Sequence, residues 1–286
     1  MTSQPLEFVR PFDPASITTL LLDADDNLFG SEAPAFDASA EVTTQFLARF
    51  GVNSPLSGDE LRKKAVGKNF RSTATDLAVL SGIPFEKALA DGRPDATVAS
   101  DSDVADGRAL TADELEKWVR QEREQVTAHL AVTLKPDPEV LGPLQDLAPR
   151  FAMAAVSSSA LARLKASFTA AGLDPLVPEA VRFSAEDSLP VPTSKPDPAV
   201  YLHAGRVLGV EGSHGLAVED SVPGVTSAVA AGYYAVGNVM FVPADERQSR
   251  TRELLDAGAV AVTDSWRALA DSLTLAAVTS GGSALG

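Results

Sequence analysis

The sequence predicts an α/β protein: a doubly wound parallel sheet of Rossmann-like type into which an all-helical cap domain is inserted. Three observations predict this class. An apolar strand-like run occupies residues 17–22, strands and helices alternate from about residue 138 onward, and only helical patterns lie between these regions. Regular alternation of strands and helices is typical of parallel sheets, whose buried strands are apolar throughout.

The core is predicted from short apolar runs that are bounded by turn residues. After the first strand, the predicted strands are 151–157, 181–183, 215–219, 234–237 and 259–262. The predicted helices of the same region are 160–171, 197–208, 222–231, 245–257 and 266–273. These elements assign the core to residues 1–30 and 138–275, and we expect residues 276–286, rich in small residues, to form a disordered tail.

The predicted cap, residues 31–137, carries apolar residues at helical spacing. Its predicted helices are 34–50, 59–66, 72–80 and a long helix that begins at the capping box Thr111-Ala112-Asp113-Glu114 and continues to Leu130. Asp, Ser, Gly and Ala dominate residues 91–107, which predicts a flexible insertion there.

Charge and composition exclude several classes of function. The 286 residues include 24 Lys and Arg against 39 Asp and Glu, a net charge of −15, so we expect neither nucleic acid nor a membrane as a partner. The absence of Cys rules out disulfides and thiolate metal sites, and three scattered His argue against a zinc centre. Without a signal-peptide pattern or a membrane-spanning run, we expect a cytoplasmic protein, either a monomer or a small homo-oligomer.

Two carboxylates, Asp23 and Asp25, directly follow the first strand. Side chains alternate along a strand, so both point the same way if the chain stays extended. Like charges held together need a cation or a proton between them. The loop also matches the start of a calcium-binding EF-hand, but Leu28 and Pro34 stand where that motif requires Gly and Glu. A solvated acidic turn is the remaining alternative.

Three more polar groups lie at or near the ends of predicted strands. They are Ser157-Ser158-Ser159 after residues 151–156, Lys195 in the phrase SKPDP, and Glu219-Asp220 after residues 215–218. Each has a structural alternative, because the serines and the acidic pair could cap the next helix and the lysine could be a surface charge. At the carboxyl ends of one parallel sheet, however, such groups lie where ligands bind.

In this order the four groups match the motifs of the haloacid-dehalogenase-like hydrolase superfamily. The phrases SKPDPAVY and AVEDSVPGVTSAVAAG resemble the third and fourth motifs of its helical-cap group, which includes phosphoglycolate phosphatase and β-phosphoglucomutase. The resemblance covers residues 17 to about 272. The chain differs from the usual pattern at Asp26 and Asn27, where the family commonly has Gly or Asn, then Thr or Val.

The resemblance implies a role for each motif residue. Asp23 is implied as the nucleophile that forms an aspartyl-phosphate, and Asp25 as the general acid and base. Ser157 and Ser158 are implied to bind the phosphoryl group or substrate, and Lys195 to neutralise charge. The implied cofactor is Mg²⁺, held by Asp23, Asp220, the Asp25 backbone carbonyl, and Glu219 directly or through water.

The cap is expected to select the substrate. Residues 66–71 align with the specificity loop of the family, so Lys68, Asn69 and Arg71 are candidates for contacts with the leaving group. The alternative is that all three are solvated helix residues.

The leading hypothesis is a Mg²⁺-dependent phosphatase acting on a small phosphate ester, a sugar phosphate or a sugar-acid phosphate. A phosphomutase of the β-phosphoglucomutase type is an alternative, since it uses the same aspartyl-phosphate. A catalytically silent sensor of a phosphate ligand is a third, motivated by the Asp26-Asn27 pair. The second aspartate argues against a dehalogenase.

Overall fold

The computed structural model describes residues 6–65 and 69–281, with side chains up to residue 275. The chain divides into two compact units. One is the α/β core, Met1–Ser31 with Leu134–Gly286, and the other is the helical unit, Glu32–Thr133. The fold class predicted from the sequence is confirmed.

The elements follow the alternation predicted from the apolar runs. The strands are β1 (Thr19–Leu22), β2 (Ala152–Ser157), β3 (Arg182–Ser184), β4 (Gly215–Glu219), β5 (Tyr234–Asn238) and β6 (Ala261–Thr263). The helices of the helical unit are α1 (Glu32–Arg49), α2 (Gly58–Lys64), α3 (Phe70–Leu80), α4 (Lys87–Ala90), α5 (Asp101–Ala105) and α6 (Ala112–Thr133). The helices of the core are α7 (Pro138–Leu147), α8 (Leu161–Ala170), α9 (Ala199–Leu208), α10 (Val222–Ala230), α11 (Arg247–Asp256) and α12 (Trp266–Gly281).

The sheet has the order β3-β2-β1-β4-β5-β6 in the described residues, and every pairing is parallel. Leu22, the last residue of β1, lies opposite Ala155 in β2 and Val218 in β4. Chain connections run to opposite sides of β1, so the carboxyl end of β1 is the switch point where doubly wound sheets bind ligands.

One face of the sheet packs against α9, α10 and α11. Leu21 and Ala217 of the sheet share a fully buried cluster with Tyr201, Val225 and Leu254 from these helices. Burial of this apolar surface, at about 25 cal/mol per Å², is the main stabilising contribution to the core. The rigid sheet therefore supports the loops that follow β1, β2 and β4.

The helical unit has its own apolar core. Phe46 of α1, Leu61 of α2, Leu77 of α3 and Leu115 of α6 are buried in one cluster. At the start of α6, the backbone N–H of Glu114 donates to Thr111 Oγ1 at 3.2 Å, as the predicted capping box requires.

Residues 91–107, for which the sequence predicts a flexible insertion, contain secondary structure that was not predicted. Phe85 exchanges backbone hydrogen bonds with Thr97 and Ala99, and α5 begins at a capping box formed by Ser100 and Asp103. The Ser-x-x-Asp spacing provides the helix start there, and a reading based on composition alone does not detect it.

Two further differences concern helices of the core. Helix α7 was not predicted because Gly142 and Pro143 interrupt its pattern, yet Asp137 caps its first turn by accepting from the Glu139 N–H at 2.9 Å. Helix α12 continues to Gly281, past residue 275, where the tail was predicted to begin. Leu and Ala residues favour the helical state there.

Candidate active site

Three strand ends bring the predicted motif residues of the core together. The register of β1 with β2 and β4 places Asp23, Ser157 and Glu219 at the carboxyl edge of the sheet. The backbone N–H of Asp23 donates to the Val218 carbonyl at 3.0 Å, which continues the ladder one residue beyond β1. Asp23 and Glu219 are therefore held side by side at the ends of the neighbouring strands β1 and β4.

Lys195 lies at the centre of this edge. Its ammonium donates to Asp23 Oδ1, to Glu219 Oε1 at 2.6 Å and to the Val156 carbonyl at 2.8 Å, and its side chain is only 5% exposed. Burial lowers the pKa of Lys195, but the charges of Asp23 and Glu219 outweigh it and leave the pKa raised. Lys195 is thus a buried cation and not a surface charge.

Three carboxylates form a cluster around this lysine. Asp23, Glu219 and Asp220 each offer an oxygen, and these oxygens lie within 4.8 Å of one another. Burial is the largest cause that raises the pKa of all three; the neighbouring carboxylates add to it, and it outweighs the charge of Lys195. The pKa of Glu219 rises to about 7.

The cluster fits a divalent cation. When all three carboxylates are ionised, they exceed the single ammonium by two negative charges, which a divalent cation would balance, and Glu219 Oε2 is buried with no hydrogen-bond partner. Carboxylate oxygens are the ligands that Mg²⁺ prefers. The three predicted metal-binding carboxylates are therefore together, whereas the ligand role of the Asp25 carbonyl stays a prediction.

The packing around Glu219 explains two residues of the motif phrases. Tyr201 donates its hydroxyl to Glu219 Oε1, a contact that the sequence reasoning missed although Tyr201 ends the phrase SKPDPAVY. Gly224 faces the other oxygen, since a Cβ at this position would lie 1.7 Å from Glu219 Oε2. Only glycine leaves room for the carboxylate beside the first turn of α10.

Asp25 is held apart from the cluster by three donors. Ser31 Oγ donates to Oδ1 at 2.6 Å, Ser159 Oγ to Oδ2 at 2.6 Å, and Arg163 Nη2 to Oδ1 at 3.2 Å. Burial raises the pKa of Asp25, but the charge of Arg163 and the hydrogen bonds outweigh it, so the pKa is lowered. Sequence reasoning missed Ser31, Arg163 and the role of Ser159, because no spacing rule connects them to Asp25.

The serines after β2 do not cap α8. Ser157 Oγ accepts from the Ser159 N–H at 3.0 Å, and Ser158 Oγ accepts from the Lys195 N–H at 3.1 Å. The first turn of α8 instead receives its cap from Asp187, which accepts from the Leu161 N–H at 2.7 Å. The capping alternative for the serines is wrong, and Ser158 links β2 to the lysine loop.

The unusual pair Asp26-Asn27 has a structural explanation. Asp26 has a φ of 51°, a left-handed conformation in which Gly, Asn and Asp are the tolerated residues. Its carboxylate accepts from the Ser31 N–H at 2.8 Å. Asn27 is fully buried, and its amide donates to the Asp23 carbonyl at 2.9 Å and to the Val218 carbonyl at 3.1 Å. Both residues therefore shape the loop.

The three cap candidates belong to the helical unit. Lys68 lies outside the described residues. Asn69 is the N-cap of α3, where its side chain accepts from the Ser72 N–H at 2.9 Å, and Arg71 forms an ion pair with Glu116. Their contacts with a leaving group stay a prediction.

Within the described part of the chain, no helix is both long and apolar enough to cross a membrane.

Comparison with solved structures supports the same fold. A conserved haloacid dehalogenase-like protein from Agrobacterium tumefaciens is 24% identical over 94% of this chain and 100% of its own, with a TM-score of 0.59. A putative β-phosphoglucomutase from Thermotoga maritima is 21% identical over 91% and 99%, with a TM-score of 0.62. A predicted phosphoglycolate phosphatase from Haemophilus somnus is 19% identical over 91% and 98%, with a TM-score of 0.62.

No protein of curated function matches the chain. The family model described as haloacid dehalogenase-like hydrolase matches residues 17–232, which contain every motif residue described above. The chain therefore belongs to the haloacid dehalogenase-like hydrolase family.

Proposed function

We propose that the protein is a Mg²⁺-dependent phosphatase that hydrolyses a small phosphorylated metabolite, a sugar phosphate or a sugar-acid phosphate, through an aspartyl-phosphate. One observation carries the proposal: the Asp23 carboxylate is bound by a buried lysine and lies in a cluster with Glu219 and Asp220. A nucleophilic carboxylate needs cations beside it, because it attacks a group that is itself negatively charged. A cytoplasmic location is part of the same proposal.

The first step is attack by Asp23 on phosphorus. One carboxylate oxygen bonds to Lys195, so the other is the one that forms the new O–P bond while the ester O–P bond breaks. Lys195 stabilises the charge on the phosphoryl group in flight, and Ser157 Oγ, at the adjacent strand end, donates to it. When bound, Mg²⁺ held by Asp23, Asp220 and Glu219 supplies the remaining charge neutralisation.

Asp25 completes the proton balance. In the first step its carboxyl proton passes to the leaving oxygen; in the second it accepts a proton from the water that attacks phosphorus, and the Asp23–phosphorus bond breaks. The pKa of Asp25 is lowered in the free protein, so Asp25 must take up a proton when the anionic substrate binds, before it passes that proton to the leaving oxygen. A general acid contributes about 10²–10⁴-fold, so lysine and metal supply much of the remaining acceleration.

The putative β-phosphoglucomutase and the predicted phosphoglycolate phosphatase match with the same TM-score of 0.62, so the comparisons do not separate a mutase from a phosphatase. Asp26 and Asn27, the residues that motivate the alternative of a silent sensor, shape the loop, so neither indicates a loss of catalysis.

The test is phosphate release from a panel of sugar phosphates, sugar-acid phosphates and p-nitrophenyl phosphate, with Mg²⁺ and with EDTA. We expect release by the wild type with Mg²⁺ only, and none by the Asp23→Asn variant. Isomerised sugar phosphate without free phosphate would replace the phosphatase with the mutase. Binding without any turnover would favour the sensor.

A further inference from the structure

Asn27 occupies an unusual position beneath the site. It is fully buried, it follows Asp23 by four residues, and its amide nitrogen donates to two backbone carbonyls, at 2.9 Å to Asp23 and at 3.1 Å to Val218. Val218 directly precedes Glu219, so one amide group connects the end of β1 with the end of β4. These two ends carry the carboxylates of the cluster.

The orientation of this amide is fixed by a second asparagine. Asn238, at the end of β5 and also fully buried, donates to Asn27 Oδ1 at 2.8 Å, and its own Oδ1 accepts from the Met240 N–H at 3.0 Å. A flipped Asn27 would place its oxygen against two carbonyls and its nitrogen against a donor. The network therefore permits one orientation.

Trp266, at the start of α12, fixes the backbone of the same residue. Its indole Nε1 donates to the Asn27 carbonyl at 2.9 Å, and the ring is fully buried. Asn27 thus has its side-chain nitrogen, side-chain oxygen and carbonyl all paired without exposure to solvent. Buried polar networks that are fully satisfied make a structure rigid.

We propose that Asn27, oriented by Asn238 and Trp266, is a positioning residue that sets the separation between Asp23 and the Glu219-Asp220 pair. The inference rests on the proposed function, since that pair and Asp23 are the proposed metal ligands. Mg²⁺ demands near-ideal octahedral geometry, so its affinity is sensitive to small displacements of the ligands. Outer hydrogen-bond partners of ligands typically change metal affinity about 10–100-fold when removed.

The test compares Asn27→Ala with the control Tyr233→Phe. Tyr233 donates to the Val210 carbonyl at 2.8 Å, and it packs against Gly215 at the opposite end of β4. The control therefore also deletes a buried hydrogen bond to a carbonyl, but one that reaches neither Asp23 nor Val218. Mn²⁺ binding is measured by the loss of the free-ion electron paramagnetic resonance signal, with Mg²⁺ competition, and unfolding is followed thermally.

We expect Mn²⁺ affinity to fall about 10–100-fold in Asn27→Ala and to be unchanged in Tyr233→Phe. Both variants lose a buried hydrogen bond and should unfold at a lower temperature than the wild type. A loss of Mn²⁺ affinity in Asn27→Ala alone is therefore not explained by lower stability. If Asn27→Ala does not fold, Asn238→Ala, which frees the Asn27 amide, should weaken Mn²⁺ binding in the same direction.

Unchanged Mn²⁺ affinity in the folded Asn27 or Asn238 variant would overturn the positioning role while leaving the proposed function intact. A wild type that binds neither Mn²⁺ nor Mg²⁺ would overturn the proposed function, and with it this inference.

Discussion

At the scale of single residues, charge balance dominates the site. Lys195 lies between Asp23 and Glu219, the three side chains are at most 10% exposed, and each of these groups is costly to bury alone. Asp25, two residues from Asp23, has a separate set of donors in Ser31, Ser159 and Arg163. The two aspartates therefore have different environments, as two different chemical roles require.

Replacement of Lys195 by Met should remove turnover and destabilise the metal-free protein. Removing one partner of a buried ion pair typically costs about 3–5 kcal/mol, because the other charge stays buried. Urea unfolding in EDTA measures the loss, and added Mg²⁺ should restore part of it. The control is Lys165→Met, which breaks an exposed pair with Glu179 and should cost less than about 1 kcal/mol. Equal stability of the two variants would contradict the assigned burial of Lys195.

The pH dependence of stability should reflect the ionised Asp25. Its pKa is lower in the folded protein than the unfolded value of about 3.9, so its contribution is present above that value and is lost as the pH falls through the folded pKa. The difference in free energy of unfolding between wild type and Asp25→Asn, measured in EDTA from pH 7 to 3, should shrink as the pH falls. A difference that grows on acidification would show that Asp25 is not ionised in the folded state.

The residues that sequence reasoning identified and those it missed differ in a physical way. Asp23, Lys195, Glu219 and Asp220 stand in motifs; strand ends fix the three carboxylates, and Ser158 holds the loop that carries Lys195. Arg163 reaches Asp25 from the first turn of α8, 138 positions along the chain, and no local pattern predicts such a contact. Asn27 was noticed as a departure from the family pattern, but its hydrogen bonds with Val218, Asn238 and Trp266 become visible only in the fold.

At the scale of elements, the positions of the helices after each strand decide what fits at the sheet edge. Ser221 is the N-cap of α10, its side chain accepts from the Gly224 N–H at 3.2 Å, and the first turn of the helix passes directly beside Glu219. The strands were predictable because they are short apolar runs bounded by turn residues. Helix α7 was not, since Pro143 lies inside it and tertiary packing stabilises what local propensity does not favour.

Gly224→Ala should displace Glu219 and lower both stability and turnover. A Cβ there would lie 1.7 Å from Oε2 and 2.3 Å from the carboxyl carbon, so the helix or the carboxylate must move. The matched control is Gly142→Ala in α7, where the nearest atom is 3.8 Å away and alanine should stabilise the helix by about 0.5–1 kcal/mol.

Urea unfolding measures the stability of Gly224→Ala and Gly142→Ala, and phosphate release measures their turnover. If Gly224→Ala were as stable and as active as Gly142→Ala, α10 would not constrain Glu219.

At the scale of the whole molecule, a net charge of −15 surrounds a site that is proposed to bind anions. The general field repels a phosphorylated substrate, whereas Lys195 attracts it only at short range. The two-unit division was visible in the sequence because the helical pattern of residues 31–137 interrupts the α/β alternation. The contact of Asn69 with Ser72 and the ion pair of Arg71 with Glu116 were not visible, because neither follows from helical spacing.

Screening of this field should increase kcat/KM. Salt shortens the Debye length from about 30 Å at 0.01 M to about 8 Å at 0.15 M, which removes most of the long-range repulsion. We expect kcat/KM for an anionic ester to rise with NaCl over this range, with sucrose as the uncharged control. A fall would indicate that a local basic surface, and not the net charge, controls association.

Phosphorylation of Asp23 should be observable in the Asp25→Asn variant with p-nitrophenyl phosphate and Mg²⁺. This leaving group departs without a proton, so the first step proceeds, whereas hydrolysis of the aspartyl-phosphate lacks its base. After acid quench, mass spectrometry should find a phosphoryl group on Asp23, absent with EDTA and absent in Asp23→Asn. Turnover without a phosphorylated protein, or phosphate on another residue, would contradict the account.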